Sequence, residues 1–232
     1  MPRKEKVREM FDHIAPTYDK LNHVLSMNVD KRWRRQALRE IVDGSAQRIL
    51  DVACGTGDST ISIAQAAAAG SEVVGVDISE GMMALVEGKA EKAGVGDRIR
   101  LQVADGEALP FEDGVFDRVT CAFGIRNFEH KERGLSEFLR VLKPGGKAVI
   151  LELSVPRNKV VRWAYDLYFT RLLPRIGGAL SGDKAAYRYL PASVHHFPAP
   201  QAFCRMMEDA GFRAVRCRTF TLGLCRLFTG TR

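Results

Sequence analysis

The fold is decided by residues 48–58, which read RILDVACGTGD. Residues 49–53 form an apolar run of strand length, and the turn behind them contains Gly55 and Gly57. A helical pattern follows over residues 59–69. Because glycine lets a backbone turn sharply and approach a ligand without a Cβ clash, this segment predicts a strand, a turn that faces a ligand, and a helix.

The same alternation continues towards the C-terminus. Further apolar runs of strand length lie at residues 73–76, 99–103, 118–122 and 148–153. Helical patterns between them, including those at residues 81–93 and 129–142, predict a mostly parallel sheet. Two last runs, at residues 214–219 and 221–229, are close enough for an antiparallel C-terminal hairpin at the sheet edge. We therefore expect an α/β fold with a Rossmann-like, seven-stranded, mostly parallel sheet.

We expect residues 1–232 to form one domain. Two regions of it depart from the alternation of strands and helices. Residues 1–44 predict a helical N-terminal cap, in which Pro16 and Asn22 interrupt the pattern and predict two or three short helices. Residues 155–200 are richer in aromatic and basic side chains, and they predict an insertion that faces the substrate or a membrane.

Composition narrows the class of protein. Apolar residues make up 46% of the chain and charged residues 27%, as in ordinary globular proteins. The N-terminus lacks the apolar segment of a secretory signal, and no run approaches the roughly 18 apolar residues that span a bilayer. Five scattered cysteines suit neither a disulfide framework nor a metal site. We expect a cytoplasmic protein without a metal.

The net charge of +7 fits either nucleic acid or an anionic membrane surface. Basic residues cluster over 31–39 and, more loosely, over 157–188. Neither cluster has the density of a nucleic-acid-binding arm, so charge alone does not choose between the two partners.

Acidic residues at the ends of the predicted strands indicate the kind of ligand. Asp77 closes the second strand, where a carboxylate can accept both ribose hydroxyls. Asp105 and Gly106 follow the third strand, where they can reach an adenine amino group and a ring nitrogen. Thr60 replaces the third glycine of a dinucleotide-binding loop, and Asp58 disfavours a pyrophosphate. An acidic loop of this kind suits a sulfonium and an ammonium group.

Each of these residues also has a purely structural interpretation. Asp51 or Asp58 could cap the following helix, and Asp105 could form an Asx turn. The Thr60 hydroxyl could simply bond to its own helix. Only the ordered set of acids and glycines favours a cofactor.

That set resembles the Class I S-adenosylmethionine-dependent methyltransferases over residues 48–153. Nearly end to end, the chain also resembles the ubiquinone/menaquinone biosynthesis C-methyltransferases. The motifs that carry this second resemblance are YDKLNHVLS at 18–26 with Trp33, FGIRN at 123–127, RVLKPGG at 140–146, ELS at 152–154, LPRIG at 173–177 and YRYL at 187–190. The resemblance implies C-methylation of a prenylated quinol ring. The acceptor would be demethylmenaquinol or, as the alternative, a polyprenyl-benzoquinol.

Four positions depart from the family's pattern. Leu21 replaces a methionine, and Ala122 replaces a serine and so receives no binding role. Asp30 stands where many members have a histidine. A catalytic base at this position therefore requires that a carboxylate can replace the imidazole in that role. Ala53 replaces the first glycine of the loop, and alanine is tolerable there if its φ is negative.

The resemblance also implies the site residues. Carried over by position, the residues that bind S-adenosylmethionine are Asp51, Gly55, Gly57, Thr60, Asp77, Asp105 and Gly106. Ring carbon becomes a nucleophile only when a neighbouring hydroxyl loses its proton. We expect Arg126 to stabilise the phenolate, Asn127 to orient the hydroxyl, and Tyr18, with Asp19, to close the site. The structural alternative is that Arg126 is only a salt-bridge partner.

A lipid substrate would explain residues 160–176, where aromatic side chains alternate with Arg162, Arg171 and Arg175. Such a segment suits peripheral contact with an anionic membrane at its inner face. A buried cap helix or a homodimer face is the alternative. We expect no nucleic acid partner, although an RNA methyltransferase remains the rival function. The chain lacks the Pro-Cys motif of cytosine-C5 enzymes and the Tyr-x-x-x-Lys pair of nicotinamide oxidoreductases.

Overall fold

A computed structural model describes residues 4–26, 28–168 and 184–232. Its strands are β1 (Arg48–Val52), β2 (Glu72–Asp77), β3 (Ile99–Val103), β4 (Phe116–Ala122), β5 (Leu142–Leu153), β6 (Arg213–Phe220) and β7 (Cys225–Thr231). They form one seven-stranded sheet in the order β3-β2-β1-β4-β5-β7-β6. The first five strands pair in parallel, and β7 pairs antiparallel with both β5 and β6. The predicted α/β fold, with its antiparallel C-terminal hairpin, is confirmed.

Helices cover both faces of this sheet. They are α1 (Lys4–Leu25), α2 (Val29–Ile41), α3 (Asp58–Ala66), α4 (Glu80–Met83), α5 (Val86–Lys92), α6 (Lys131–Val141), α7 (Lys159–Leu167), α8 (Lys184–His196) and α9 (Pro200–Asp209). On one face, Phe138 and Phe203 pack with Phe228 of β7. On the other face, α2 and α3 pack through Trp33 and Ile63. Because both faces are covered, the central strands are apolar along almost their whole length.

The N-terminal cap contains two helices, as predicted, but neither Pro16 nor Asn22 interrupts a helix. Pro16 lies inside one helix of 22 residues, and α1 also continues through Asn22. A proline inside a helix costs one backbone hydrogen bond, but Val7 and Ile14 are buried on the face of α1 that packs against the domain. Tertiary packing of this kind stabilises a helix more than local propensity does. The chain instead leaves α1 before Asn28, whose φ is 59°.

Two other predicted regions also differ in detail. The helix predicted over residues 81–93 is two short helices, α4 and α5. The predicted insertion over residues 155–200 contains α7 and α8, while Arg171, Arg175 and the motif at 173–177 lie outside the described residues. In the parts of the chain that the structure describes, no helix combines the length and apolarity needed to cross a membrane.

Candidate active site

Two neighbouring cavities lie beyond the carboxyl ends of the parallel strands, where open α/β sheets bind their ligands. The polar cavity is lined by the turn after β1, by Asp77, and by Asp105 and Gly106 after β3. The apolar cavity is lined mainly by side chains from the helical regions, and its volume is about 330 Å³. The chain therefore offers two adjoining spaces of opposite character.

The turn after β1 contains three residues with positive φ: Ala53 at 56°, Gly55 at 55° and Gly57 at 83°. The condition of a negative φ at Ala53 is therefore not met. A left-handed alanine costs about 1–2 kcal/mol, and close packing holds it in place. A Cβ on the neighbouring Gly124 would lie 2.4 Å from the Ala53 Cβ. Residue 124 therefore has to be glycine for the Ala53 side chain to fit.

Gly55 and Gly57 have different surroundings. Gly55 lines the polar cavity, and its N–H donates to Asp77 Oδ2 at 2.8 Å. Gly57 is not among the residues that line this cavity. A Cβ on Gly57 would lie 2.6 Å from Val86 Cγ1, so this glycine lets the turn pack closely against α5.

Asp77 ends β2 and is held by backbone donors. Besides Gly55, the N–H of Ser79 donates to its carboxylate, at 2.9 Å. Burial raises the pKa of Asp77, although both hydrogen bonds oppose that shift. Asp77 lines the polar cavity, and its role in binding the ribose stays a prediction.

Asp51 is the more deeply buried acid of the polar cavity. Its side chain lines the cavity, and Oδ2 accepts a hydrogen bond from Thr60 Oγ1 at 2.7 Å. The other oxygen, Oδ1, is buried and has no hydrogen-bond partner within the described part of the chain. Burial raises the pKa of Asp51 to about 6. Thr60 does not line the cavity itself, so its visible contact is with this carboxylate.

Asp105 and Gly106 both line the polar cavity. The Asp105 carboxylate accepts the N–H of Glu107 at 3.0 Å, which is an Asx turn. It also accepts the ammonium group of Lys4. Asp105 therefore has a structural hydrogen bond and an ion pair, and it faces the cavity as well.

Helix α1 covers the polar cavity through polar contacts of three side chains that are distributed along its length. Lys4 pairs with Asp105 near its start. Asp12 accepts from Ser79 Oγ at 2.6 Å and from the N–H of Gly81 at 3.0 Å. Asp19 pairs with Lys89 at 2.7 Å. Lys4 and Asp12 were not predicted as site residues, because no local motif surrounds either of them.

The apolar cavity is built from distant parts of the chain. Its aromatic lining consists of Tyr18, Trp33, Phe123, Tyr165 and Tyr168. Leu153, Val161, Leu190 and Leu224 supply aliphatic surface. Trp33 is oriented by a hydrogen bond from Nε1 to Thr221 Oγ1 at 2.8 Å. Sequence reasoning did not identify this cavity, apart from the expectation that residues 160–176 face a lipid.

A shared wall separates the two cavities. Four residues line both of them: Tyr18, Asp30, Arg34 and Phe123. The Arg34 guanidinium lies over the Phe123 ring, 4.9 Å from its centroid. Asp30 is 6% exposed and accepts a hydrogen bond from Ser26 Oγ at 2.6 Å. Groups bound in the two cavities would therefore meet beside these four residues.

Arg126 and Asn127 lie in a short 3-10 turn after β4. Arg126 lines the apolar cavity but is only 4% exposed, with its Nη1 2.9 Å from Glu152 Oε1. Asn127 lines the polar cavity and accepts a hydrogen bond from the hydroxyl of Tyr189 at 2.9 Å. Arg126 therefore has the buried ion pair of the structural interpretation and a place beside the cavity.

Comparison with known proteins adds family relationships to this geometry. The sequence profile described as the ubiE/COQ5 methyltransferase family matches residues 2–232. The chain is 48% identical to a ubiquinone/menaquinone biosynthesis C-methyltransferase, UbiE, of Geobacter sulfurreducens over 98% of this chain and 89% of that protein. It is 47% identical to a demethylmenaquinone methyltransferase of Thermus thermophilus over 96% of this chain and 100% of that protein.

Solved structures resemble the fold at low sequence identity. The [4+2]-cyclase SpnF superposes with a TM-score of 0.75 at 17% identity, covering 100% of this chain and 97% of that one. A phosphoethanolamine N-methyltransferase of Haemonchus contortus, solved with S-adenosyl-L-methionine, has a TM-score of 0.65 at 17% identity and covers 87% of this chain and 52% of that one. These likenesses concern the fold alone.

Proposed function

Because the chain belongs to the ubiE/COQ5 methyltransferase family, we propose that it transfers a methyl group from S-adenosylmethionine to a ring carbon of a prenylated quinol. The favoured acceptor is demethylmenaquinol, which would give menaquinol, and a polyprenyl-benzoquinol is the alternative. The observation that carries the proposal is the pair of adjoining cavities, one acidic and one apolar, which share a wall. No contact with nucleic acid is needed for this function.

The polar cavity fits S-adenosylmethionine. Carboxylates line it in excess over cations: Asp19, Asp30, Asp51, Asp58, Asp77, Asp105 and Glu107, beside Lys4 and Arg34. The buried Asp51 Oδ1 has no hydrogen-bond partner among the described residues, so it offers an acceptor to an ammonium group. We assign the ribose to Asp77, and the adenine to Asp105 and Gly106. The bound cofactor supplies an activated methyl group.

Three residues support this proposed cofactor site in different ways. Gly55 positions the Asp77 carboxylate through its N–H. Thr60 orients the Asp51 carboxylate, and Gly57 permits the close packing of the turn. We therefore propose that Thr60 and Gly57 are positioning residues rather than groups in contact with the cofactor.

The apolar cavity suits a quinol ring and the start of its isoprenoid tail. Such a ring would lie against Phe123, beside the wall that both cavities share. The Arg126 guanidinium, held in place by Glu152, supplies positive charge near a developing phenolate. Asn127 lies on the cofactor side, where its amide can orient the ring hydroxyl, and Tyr18 closes both cavities. Alignment by these groups is the contribution that the protein makes.

The lipid substrate also gives a role to the outer face of α7. Val160 is 74% exposed, Trp163 68% and Leu167 36%, and their spacing places them on one side of the helix. Val161 and Tyr165 on the same helix line the apolar cavity. We propose that this face contacts the anionic inner surface of the membrane, so that a cytoplasmic protein can take up a lipid. The alternative occupant is a second copy of the chain in a homodimer.

Turnover tests the proposed reaction. Purified protein with S-adenosylmethionine and a short-chain demethylmenaquinol should yield the methylated quinol, with a short-chain benzoquinol as comparator and RNA as control. Methylation of RNA and of neither quinol would contradict the proposal. In cells that lack the protein, mass spectrometry of quinones should show the demethyl form accumulating.

Flotation with anionic vesicles tests the membrane contact. Trp163→Ser should reduce binding, because an exposed aromatic residue would no longer enter the interface. Val103→Ser is the matched control, since Val103 is 50% exposed on β3 and outside α7. Equal flotation of both variants and the wild type would contradict the contact at α7. A concentration-dependent dimer that Trp163→Ser disrupts would favour the second copy instead.

A further inference from the structure

The shared wall contains a carboxylate to which the proposed function gives no role. Asp30 lies in the first turn of α2, is 6% exposed, and lines both the polar and the apolar cavity. A carboxylate in this place borders the apolar cavity proposed for the quinol and also the polar cavity proposed for the cofactor. Its neighbours Ser26, 2.6 Å from Asp30 Oδ1, and Arg34, 3.9 Å from Oδ2, orient it.

The chemistry of the apolar cavity leaves few candidates for a proton acceptor. Among the described residues that line it, the titratable or charged side chains are Tyr18, Asp30, Arg34, Arg126, Tyr165 and Tyr168. Arginine stays protonated in proteins. The phenol of tyrosine is ordinarily protonated at neutral pH, and burial raises the pKa of both Tyr165 and Tyr168 further. Glu152 is fully buried and engaged by Arg126, and it does not line the cavity.

We propose that Asp30 is the general base that takes the hydroxyl proton of the quinol. This inference rests on the proposed function, because it concerns the acceptor of that reaction. The O–H bond of the ring hydroxyl breaks, its proton passes to a carboxylate oxygen of Asp30, and its electron pair stays with the oxygen and is shared into the ring. The ring carbon then gains the methyl group as the methyl–sulfur bond of the sulfonium breaks, and the electron pair of that bond stays on the sulfur of S-adenosylhomocysteine, which leaves. The hydrogen on the methylated ring carbon leaves as a proton to water. Asp30 then returns its own proton to the ring oxygen, so that the carboxylate is regenerated.

The place of Asp30 in the wall explains why one carboxylate can perform both transfers. A ring packed against Phe123 would have its edge towards Tyr18 and Asp30, which line the same wall. Arg126 lines the same cavity and supplies positive charge, and Asp30 supplies a proton acceptor. Acid–base assistance of this kind contributes about 10²–10⁴-fold to a rate.

The pH dependence of Asp30→Asn distinguishes a base from a structural residue. We expect kcat with saturating S-adenosylmethionine at pH 7 to fall at least about 100-fold. The Kd for S-adenosylmethionine should change far less, because the carboxylates assigned to the cofactor, Asp51, Asp77 and Asp105, remain. The residual rate should then rise with pH more steeply than in wild type, because ionisation of the free hydroxyl replaces the lost base. Asp30→Glu should keep much of the activity. Asp43→Asn, which removes a surface acid paired with Arg118, is the matched control and should behave as wild type.

A second readout does not depend on turnover. Excited 1-naphthol is a strong acid, so a carboxylate in contact with its hydroxyl gives emission from the naphtholate. The wild-type complex should show this emission, and the Asp30→Asn complex should emit from neutral naphthol. The proposal is overturned if kcat of Asp30→Asn stays within about twofold of wild type, if the two pH profiles are parallel, or if the emission is unchanged. Failure of the wild type to methylate any quinol would instead contradict the proposed function, and the naphthol emission would still test Asp30.

Discussion

The polar and apolar cavities are neighbours, but they are built in opposite ways. The polar cavity takes its main carboxylates from successive strand ends of one sheet, at Asp51, Asp77 and Asp105. The apolar cavity combines Trp33 of α2, Tyr165 of α7 and Leu224 before β7. One site therefore follows the order of the chain, and the other exists only after the helices have packed. This difference explains why cofactor binding has a local motif, whereas substrate binding does not.

The largest expected effect concerns the ion pair beside the apolar cavity. Arg126→Ala leaves the fully buried carboxylate of Glu152 with two backbone N–H donors but without its cation, and breaking a buried ion pair costs about 3–5 kcal/mol. Urea unfolding should show this decrease in the free energy of unfolding. The double variant Arg126→Met with Glu152→Met should recover most of the stability without recovering turnover. A loss below about 1 kcal/mol for Arg126→Ala would show that the pair is solvated. If the recovered double variant turned over normally, Arg126 would have no role in catalysis.

Asp77→Ala should affect the polar cavity alone. The change removes the proposed ribose acceptor and the partner of two backbone N–H groups, and hydrogen bonds to charged groups contribute about 1.5–3 kcal/mol. We expect the Kd for S-adenosylmethionine to rise about 100-fold in calorimetry. Binding of 1-naphthol in the apolar cavity should be unchanged. If the affinities for both ligands decreased equally, the two cavities would not bind their ligands independently.

The pKa of Asp51 predicts that cofactor binding depends on pH. Burial raises this pKa to about 6 in the free protein, and a cationic ligand favours the ionised form. Affinity for S-adenosylmethionine should therefore increase about tenfold between pH 5 and pH 7. Asp51→Asn should flatten this dependence. Since the raised pKa makes Asp51 destabilise the fold as pH rises from about 4 to 6, the same variant should also stabilise the free protein at pH 7.

The smallest effect is expected for the hydrogen bond that orients Trp33. Trp33→Phe keeps most of the apolar surface but loses the bond to Thr221, which contributes about 1 kcal/mol. The KM for a short-chain quinol should rise by about fivefold or less, with the Kd for S-adenosylmethionine unchanged. Thr221→Val tests the same bond from the other side. A change in cofactor affinity in either variant would contradict the separation of the two cavities.

The sequence predicts the sheet because the buried strands are short apolar runs between helical patterns. It also indicates Asp77 and Asp105, since each directly follows a strand and therefore lies at the ligand-binding edge. Prediction from the sequence fails where tertiary packing decides the local structure. Pro16 does not break α1, because the buried face of that helix compensates for the lost hydrogen bond. The apolar cavity could not be predicted, because its residues are separated by long stretches of chain.

Ala53 and Gly124 have a consequence for how related sequences vary. The space between the two backbones holds a single methyl group, since a second Cβ would lie 2.4 Å from the first. The two positions should therefore covary: a relative with a side chain at the position of Gly124 is expected to have glycine at that of Ala53. A chain with alanine at both positions would have to move the turn after β1 away from β4, and with it the floor of the cofactor site.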